Sequence, residues 1–262
     1  MAQSGASVLS SGWIEDGKAL DVAFTGDAAA VRAAVEGAFD RTDAIVQKTA
    51  DRARRLIVAD MDSTMITIEC IDELADYAGI KPQIAEVTER AMRGELDFEE
   101  ALRSRVALLK GLSENVIDQC LVERVVIMPG ARALVQTIRA HGGMAILVSG
   151  GFTRFADPVA TEIGFNKAIA NRLGIKDGML TGQVEGDIVG AQTKRKTLID
   201  TLSAYELRSS ASLAVGDGAN DIPMIEAAGL GVAYHAKPQV RAEAMVAINE
   251  GGLDRLLEVL QD

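Results

Sequence analysis

Three short apolar runs, each stopping at small or acidic residues, constrain this chain more than any other feature. Leu56-Ile57-Val58-Ala59 ends in Asp60, Met144-Ala145-Ile146-Leu147-Val148 ends in Ser149-Gly150-Gly151, and Ser212-Leu213-Ala214-Val215 ends in Gly216-Asp217-Gly218. Runs of this length and branching fit strands buried on both faces, as in a parallel sheet. Helix-like segments follow at 152–163 and 222–228, and 231–234 and 245–248 add further short strands. Strands alternating with helices predict an α/β fold with a doubly wound parallel sheet. Polar residues at the C-terminal ends of those strands put the functional site there.

At 262 residues the chain exceeds the usual single-domain size of ~150, so an insertion or extension is expected beside the core. Helical patterns at 72–77, 81–93, 97–110 and 113–121, punctuated by Gly79, Gly94 and Gly111, mark a helical insertion at 67–127. Core segments at 51–66 and 128–262 then flank an element able to close over a ligand as a lid. Residues 1–50 read as a small β-α appendage, with a strand at 20–24 and a helix at 28–39 capped by Asp27, followed by a polar connector at 48–55. Asp177-Gly178 signals a hairpin turn.

Composition removes whole classes of function. With 48% apolar and 25% charged residues the chain is not disordered, and 27 Lys+Arg against 38 Asp+Glu give a net charge of −11. Such a chain repels nucleic acid and anionic lipid. No apolar run approaches the ~18 residues of a membrane span, and no basic residue precedes Lys18, so neither a membrane nor a secretory signal is expected and the expected location is cytoplasmic. Cys70 and Cys120 fit no metal spacing and read as reduced thiols. His141 and His235 are the only histidines, so acid–base chemistry should rest on carboxylates.

The loop Asp60-Met61-Asp62-Ser63-Thr64 places carboxylates at i and i+2 directly after an apolar strand. One such carboxylate is commonly a helix cap. Two sharing a face resist joint ionisation unless a cation or a shared proton offsets them, and a hard divalent ion such as Mg2+ answers that need. Gly216-Asp217-Gly218-Ala219-Asn220-Asp221 brings two more, so aligned strands would crowd Asp60, Asp62, Asp217 and Asp221 into one crevice. Ser149-Gly150-Gly151 offers a hydroxyl and backbone N–H groups, a phosphate cradle that is also a generic turn. Lys194 is expected to open a helix over 194–207, where its charge opposes the helix dipole and calls for an anionic partner. Arg195 and Lys196 read as solvated charges. Acidic nucleophile, cation, hydroxyl, backbone donors and lysine together suit phosphoryl transfer. No G-x-x-x-x-G-K-[ST] run is present, which sets aside a P-loop nucleotide enzyme.

These motifs, in this order, resemble those of the haloacid dehalogenase-like hydrolases, and within them the phosphoserine-hydrolysing branch, from about Arg55 to the C-terminus. The resemblance implies a Rossmann-like core with a helical cap inserted after the first strand. It makes Asp60 a nucleophile that forms an aspartyl-phosphate, and Asp62 the general acid and base. It gives Mg2+ the Asp60 carboxylate, the Asp62 backbone carbonyl and the Asp217 carboxylate, with Asp221 acting through the ion's water shell. Ser149, the Gly150 N–H, Lys194 and Asn220 would hold the phosphoryl group. In the cap, Glu69 would take a substrate ammonium, Arg105 a carboxylate, and Met92 and Phe98 the apolar contacts. An ammonium and a carboxylate recognised together describe an amino-acid backbone, so the implied small-molecule partner is phosphoserine, at the last step of serine biosynthesis. Phosphoryl transfer to an acceptor such as homoserine, another small phosphomonoester, and a non-catalytic phospho-ligand sensor stay open, as does a homodimer. Relatives often carry a full regulatory-type N-terminal domain, for which the fifty-odd residues here are too few.

Overall fold

The computed structural model describes residues 5–36 and 38–260, without the side chain of Met92. Along the chain, β1 (Ser7–Glu15), β2 (Ala19–Thr25) and α1 (Ala28–Val35) precede β3 (Leu56–Ala59). Helices α2 (Cys70–Tyr77), α3 (Lys81–Met92), α4 (Phe98–Leu108) and α5 (Asn115–Glu123) follow, then α6 (Ala131–Ala140), β4 (Met144–Phe152), α7 (Thr153–Ile163), β5 (Lys167–Lys176), β6 (Met179–Glu185) and α8 (Ala191–Ala204). The chain continues through β7 (Ser212–Gly216), α9 (Ile222–Ala227), β8 (Leu230–Tyr234), α10 (Pro238–Glu243) and β9 (Val246–Ile248) to a 3-10 turn at Leu253–Val259.

All four residues of β3 are buried, and they alternate between two cores. Ile57 and Ala59 join Ala145, Leu147, Leu213 and Val215 against α6 and α7. Leu56 and Val58 join Ile146, Val148 and Ala214 against Leu198 of α8 and Met224 of α9. The two-residue period of a strand, with apolar residues at every position, demands helices on both faces.

The seven-stranded sheet runs β6-β5-β4-β3-β7-β8-β9, with every pair parallel except the β5–β6 hairpin. This is the doubly wound sheet expected from the apolar runs. From β3 the chain moves outward through β4 and β5, then crosses back to β7 on the other side. The crevice beyond the end of β3 is therefore the switch point at which such sheets take ligands. Ala59 is in register with Leu147 and Val215, so the loops after β3, β4 and β7 emerge together.

The four helices α2–α5 leave and rejoin the core through a single antiparallel bridge between Ile66 and Ile127: Thr67 N–H donates to Val126 O at 3.0 Å and Met128 N–H to Met65 O at 2.9 Å. The segment after α4 is stitched to the β5–β6 hairpin, with Gly111 N–H on Leu180 O at 2.9 Å and Leu180 N–H on Leu112 O at 2.8 Å. Asp177 and Gly178 turn that hairpin at φ +51° and +77°, as a two-residue Asp-Gly turn requires. Asp97 and Glu100 close a capping box that starts α4 at Phe98.

Three expectations are corrected. The N-terminal segment holds two strands rather than one; β1 is exposed along its length and has no buried face to write an alternating pattern. Helix α1 is capped by Asp27, which accepts the Ala29 N–H at 2.9 Å, but it ends at Val35, leaving Phe39 outside it and exposed. Helix α8 begins at Ala191 and not at Lys194, which lies one turn in; its N-cap is Gly190, whose lack of a side chain hides the start. No helix among the described residues is long and apolar enough to cross a membrane.

Candidate active site

Beyond β3 the sheet pairing continues one residue further, with Asp60 N–H donating to Val215 O at 3.0 Å. This aims the Asp60 side chain into the crevice. Its Oδ1 accepts the Met61 N–H at 2.7 Å, and its Oδ2 lies 2.8 Å from Lys194 Nζ. Lys194 is wholly buried and also donates to Asp221 Oδ1 at 2.6 Å. Asp221 Oδ2 accepts the N–H groups of Asp217 at 3.2 Å and Gly218 at 3.0 Å, which fixes the turn after β7. Gly216 presses against the Asp221 carboxylate where any Cβ would overlap it, so only glycine fits there. Thr64, buried, donates its hydroxyl to Asp217 Oδ1 at 2.8 Å.

Carboxylate oxygens of Asp60, Asp217 and Asp221 lie within 4.8 Å of one another. One ammonium does not balance three carboxylates. Burial foremost, then the charges of Asp221 and Asp217, hold the Asp60 carboxyl well above its ordinary pKa against the pull of Lys194. Asp217 is pushed up to about 6, mainly by burial, with Asp221 adding and the Thr64 hydrogen bond opposing. For Lys194 burial works against the charge, but the Asp221 and Asp60 carboxylates more than offset it and raise its pKa. An all-oxygen donor set with excess negative charge fits a hard divalent cation, and a cation there would reverse the upward shifts. The cluster can therefore hold a divalent metal.

Asp62 accepts the Cys70 N–H at 3.3 Å, and its Oδ2 lies 2.8 Å from where a Cβ on Gly151 would stand. Burial, with the charge of Glu69 second, pushes its pKa up to about 7. Ser149 is buried, and its Oγ accepts the Gly151 N–H at 2.8 Å. The Phe98 ring, at the start of α4, sits over the same loop, 3.2 Å from a Cβ position on Gly150 and 3.4 Å from one on Gly190. Asp60, Asp62, Ser149, Gly150, Lys194, Asp217, Asp221 and Phe98 thus share one crevice.

Other expected residues lie further out. Glu69 accepts the Ser63 hydroxyl at 2.6 Å. Arg105, two turns along α4 from Phe98, is half-buried and rests its Nε on Ala101 O at 3.4 Å. Burial lowers its pKa, and the nearby charges of Asp72, Glu69 and Asp62 oppose that. Asn220, half-buried in the turn after β7, has its Oδ1 beside Gly218. Met92 ends α3, and its side chain lies outside the described residues.

Sequence reasoning missed Asn171. This buried β5 side chain donates to Gly150 O at 2.8 Å and accepts the Val189 N–H at 2.8 Å, tying the Ser149 loop to the segment that leads into α8. Its sequence signal is one asparagine between Ala170 and Arg172, which means little until the fold brings 150 and 189 together. Thr64 and Ser63 carry no sequence signal beyond their place in the Asp60 loop.

A doubly wound sheet with an aspartate cluster and a buried lysine at its switch point defines a class, and the chain belongs to the haloacid dehalogenase-like hydrolase family, whose pattern matches residues 57–226. Within that class several of the proteins it resembles carry a narrower identity. A phosphoserine phosphatase of Polaromonas sp. (strain JS666) is 51% identical over 212 residues, spanning 79% of this chain and 90% of that one. A probable phosphoserine phosphatase from Vibrio cholerae, solved unliganded, superposes with a TM-score of 0.77 at 43% identity, over 91% of this chain and 74% of that one. A phospho-aspartyl intermediate analogue of a phosphoserine phosphatase superposes with a TM-score of 0.73 at 36% identity, over 80% of this chain and 100% of that one.

Proposed function

We propose that the chain is a Mg2+-dependent phosphatase that hydrolyses O-phospho-L-serine to L-serine and phosphate, the last step of serine biosynthesis. The observation that carries this reading is Asp60 held 2.8 Å from a buried lysine, with a second aspartate tuned to about 7 in the same crevice. Similarity to a phosphoserine phosphatase at 51% identity supports the substrate.

Asp60, the Asp62 backbone carbonyl and Asp217 would hold Mg2+, with Asp221 acting through its water shell. When bound, the ion neutralises charge on the phosphoryl oxygens. Ser149, the Gly150 N–H and Lys194 bind those oxygens in a preorganised cradle, assisted by Asn220. An Asp60 oxygen attacks phosphorus in line. The P–O bond to serine breaks, its electron pair stays on the seryl oxygen, and that oxygen takes the proton of Asp62. Burial around Asp62 favours its protonated form, as a general acid requires. In the second half-reaction Asp62, now a carboxylate, takes a proton from water. The water oxygen bonds to phosphorus, the bond to Asp60 breaks, and phosphate leaves.

Residues 67–127 act as the cap over this chemistry. Phe98 forms part of its apolar inner side and excludes water. Glu69 pairs with the substrate ammonium and Arg105 with its carboxylate. The buried free thiols Cys70 and Cys120 suit a reducing compartment, and a cytoplasmic setting is part of the proposal.

The test is phosphate release from phosphoserine, 3-phosphoglycerate, O-phosphoethanolamine and an aryl phosphate, each with Mg2+ and with EDTA. Phosphoserine should lead by a wide margin, and only with metal. Even turnover across the panel would keep the phosphatase and remove the roles of Glu69 and Arg105. Silence on every ester would return phosphotransfer and sensing to the front.

A further inference from the structure

The loop from Met61 to Cys70 is folded back on itself. The N–H groups of Thr64, Met65 and Ile66 all converge on Met61 O, at 3.2, 2.8 and 3.0 Å, and Ser63 N–H closes the loop on Ile68 O at 3.2 Å. Ser63 takes a left-handed backbone, φ +53°, which costs energy for any residue with a Cβ. In return its hydroxyl reaches Glu69 Oε1 at 2.6 Å. Among the described residues this is the one hydrogen bond the Glu69 carboxylate makes. The Glu69 backbone is fixed from the other side, because its carbonyl accepts the N–H groups of Asp72 and Glu73 at 3.1 Å each as α2 begins. One carboxylate oxygen is anchored and the other is left free.

We propose that Ser63 is a specificity-positioning residue: its hydroxyl holds Glu69 so that the free carboxylate oxygen meets the ammonium of an amino-acid phosphomonoester. This rests on the reading of Glu69 as the ammonium's partner. A glutamate side chain has much rotamer freedom to lose on binding. Anchoring one oxygen beforehand removes part of that cost and concentrates the benefit on substrates that carry a cation at this position. A hydroxy acid of the same shape gains nothing from it. Ser63 thereby separates amino-acid esters from hydroxy-acid esters without touching either.

The measurement is the ratio of kcat/KM for phosphoserine to that for 3-phosphoglycerate, which carries a hydroxyl where phosphoserine carries its ammonium. Ser63→Gly accepts the left-handed backbone and lacks the hydroxyl. The ratio should fall about tenfold, the order expected for a hydrogen bond to a charged group, while the melting temperature holds or rises. Ser63→Thr keeps the hydroxyl but strains at positive φ. It should keep the ratio while melting lower. Glu69→Gln should lower the ratio at least as far, and adding Ser63→Gly to it should change the ratio no further. An unchanged ratio in Ser63→Gly beside a lowered one in Glu69→Gln overturns the role of Ser63 and leaves the ammonium reading standing. Equal losses on both substrates in Ser63→Gly also overturn it, since a merely structural role would act that way. An unchanged ratio in Glu69→Gln overturns both.

Discussion

A lysine with no exposed surface stays charged only where carboxylates surround it, and Lys194 has Asp60 and Asp221 within 2.8 Å. The same arrangement overloads the crevice with negative charge once all three aspartates ionise. Asp60→Asn should therefore have two separable effects. Turnover of phosphoserine should fall by at least ~10³-fold if Asp60 is the proposed nucleophile, since its attacking oxygen is then gone. The metal-free protein should melt no lower than the parent, because one of three like charges has been removed. A melting temperature well below the parent would show that the Asp60–Lys194 pair outweighs the repulsion. Asn171→Ala should behave differently. It leaves Gly150 O and Val189 N–H buried without partners, at ~1–3 kcal/mol for each group, and frees the loop that presents Ser149. Stability in denaturant and kcat/KM should both drop. A variant as stable as the parent would mean that water replaces the amide.

At the scale of elements, strand burial decides what the sequence reveals. β3 and β7 are buried at every position and leave continuous apolar runs that stop at the site. That is why the sheet, its direction and the crevice with Asp60, Asp217 and Asp221 are legible in the sequence. β1 is exposed throughout and carries three serines and a glycine, so nothing in its pattern marks a strand. Asn171 and Ser63 were illegible for another reason: their partners are set by folding, across 21 residues of sequence for Asn171 to Gly150 and through a reversed loop for Ser63. The cap contact is legible only in part, since Phe98 looks like any helical core position until α4 is seen leaning on Gly150 and Gly190. That contact carries a prediction. A methyl group on Gly150 would stand 3.2 Å from Phe98 Cζ, so Gly150→Ala should hold the cap away and lower kcat/KM by roughly tenfold, within the usual cost of overpacking. Combining it with Phe98→Ala should cost less than the sum of the two single changes. Strict additivity would mean that the ring and the loop do not meet during turnover.

Across the whole molecule, the site sets stability against function. Folding gathers carboxyls whose native pKa values stand above the ordinary range, Asp62 at about 7 and Asp217 at about 6, both chiefly through burial. The unfolded chain gives up those protons near pH 4, so between there and neutrality the native state binds more protons than the unfolded one. Stability from these groups is complete below the ordinary carboxylate range and is lost as the pH rises through about 6 and then about 7. In EDTA the melting temperature should accordingly fall between about pH 5 and about pH 8. A divalent cation favours the ionised carboxylates, so saturating Mg2+ should flatten or reverse that slope by binding the native state alone. The net charge of −11 adds a general repulsion that salt screens, whereas the buried cluster is screened far less. The fall in EDTA should therefore persist in high concentrations of a monovalent salt and disappear with Mg2+. A melting temperature in EDTA that is flat or rises with pH would show that Asp62 and Asp217 ionise in the fold as readily as in the unfolded chain. In that case the site would need no cation to complete it.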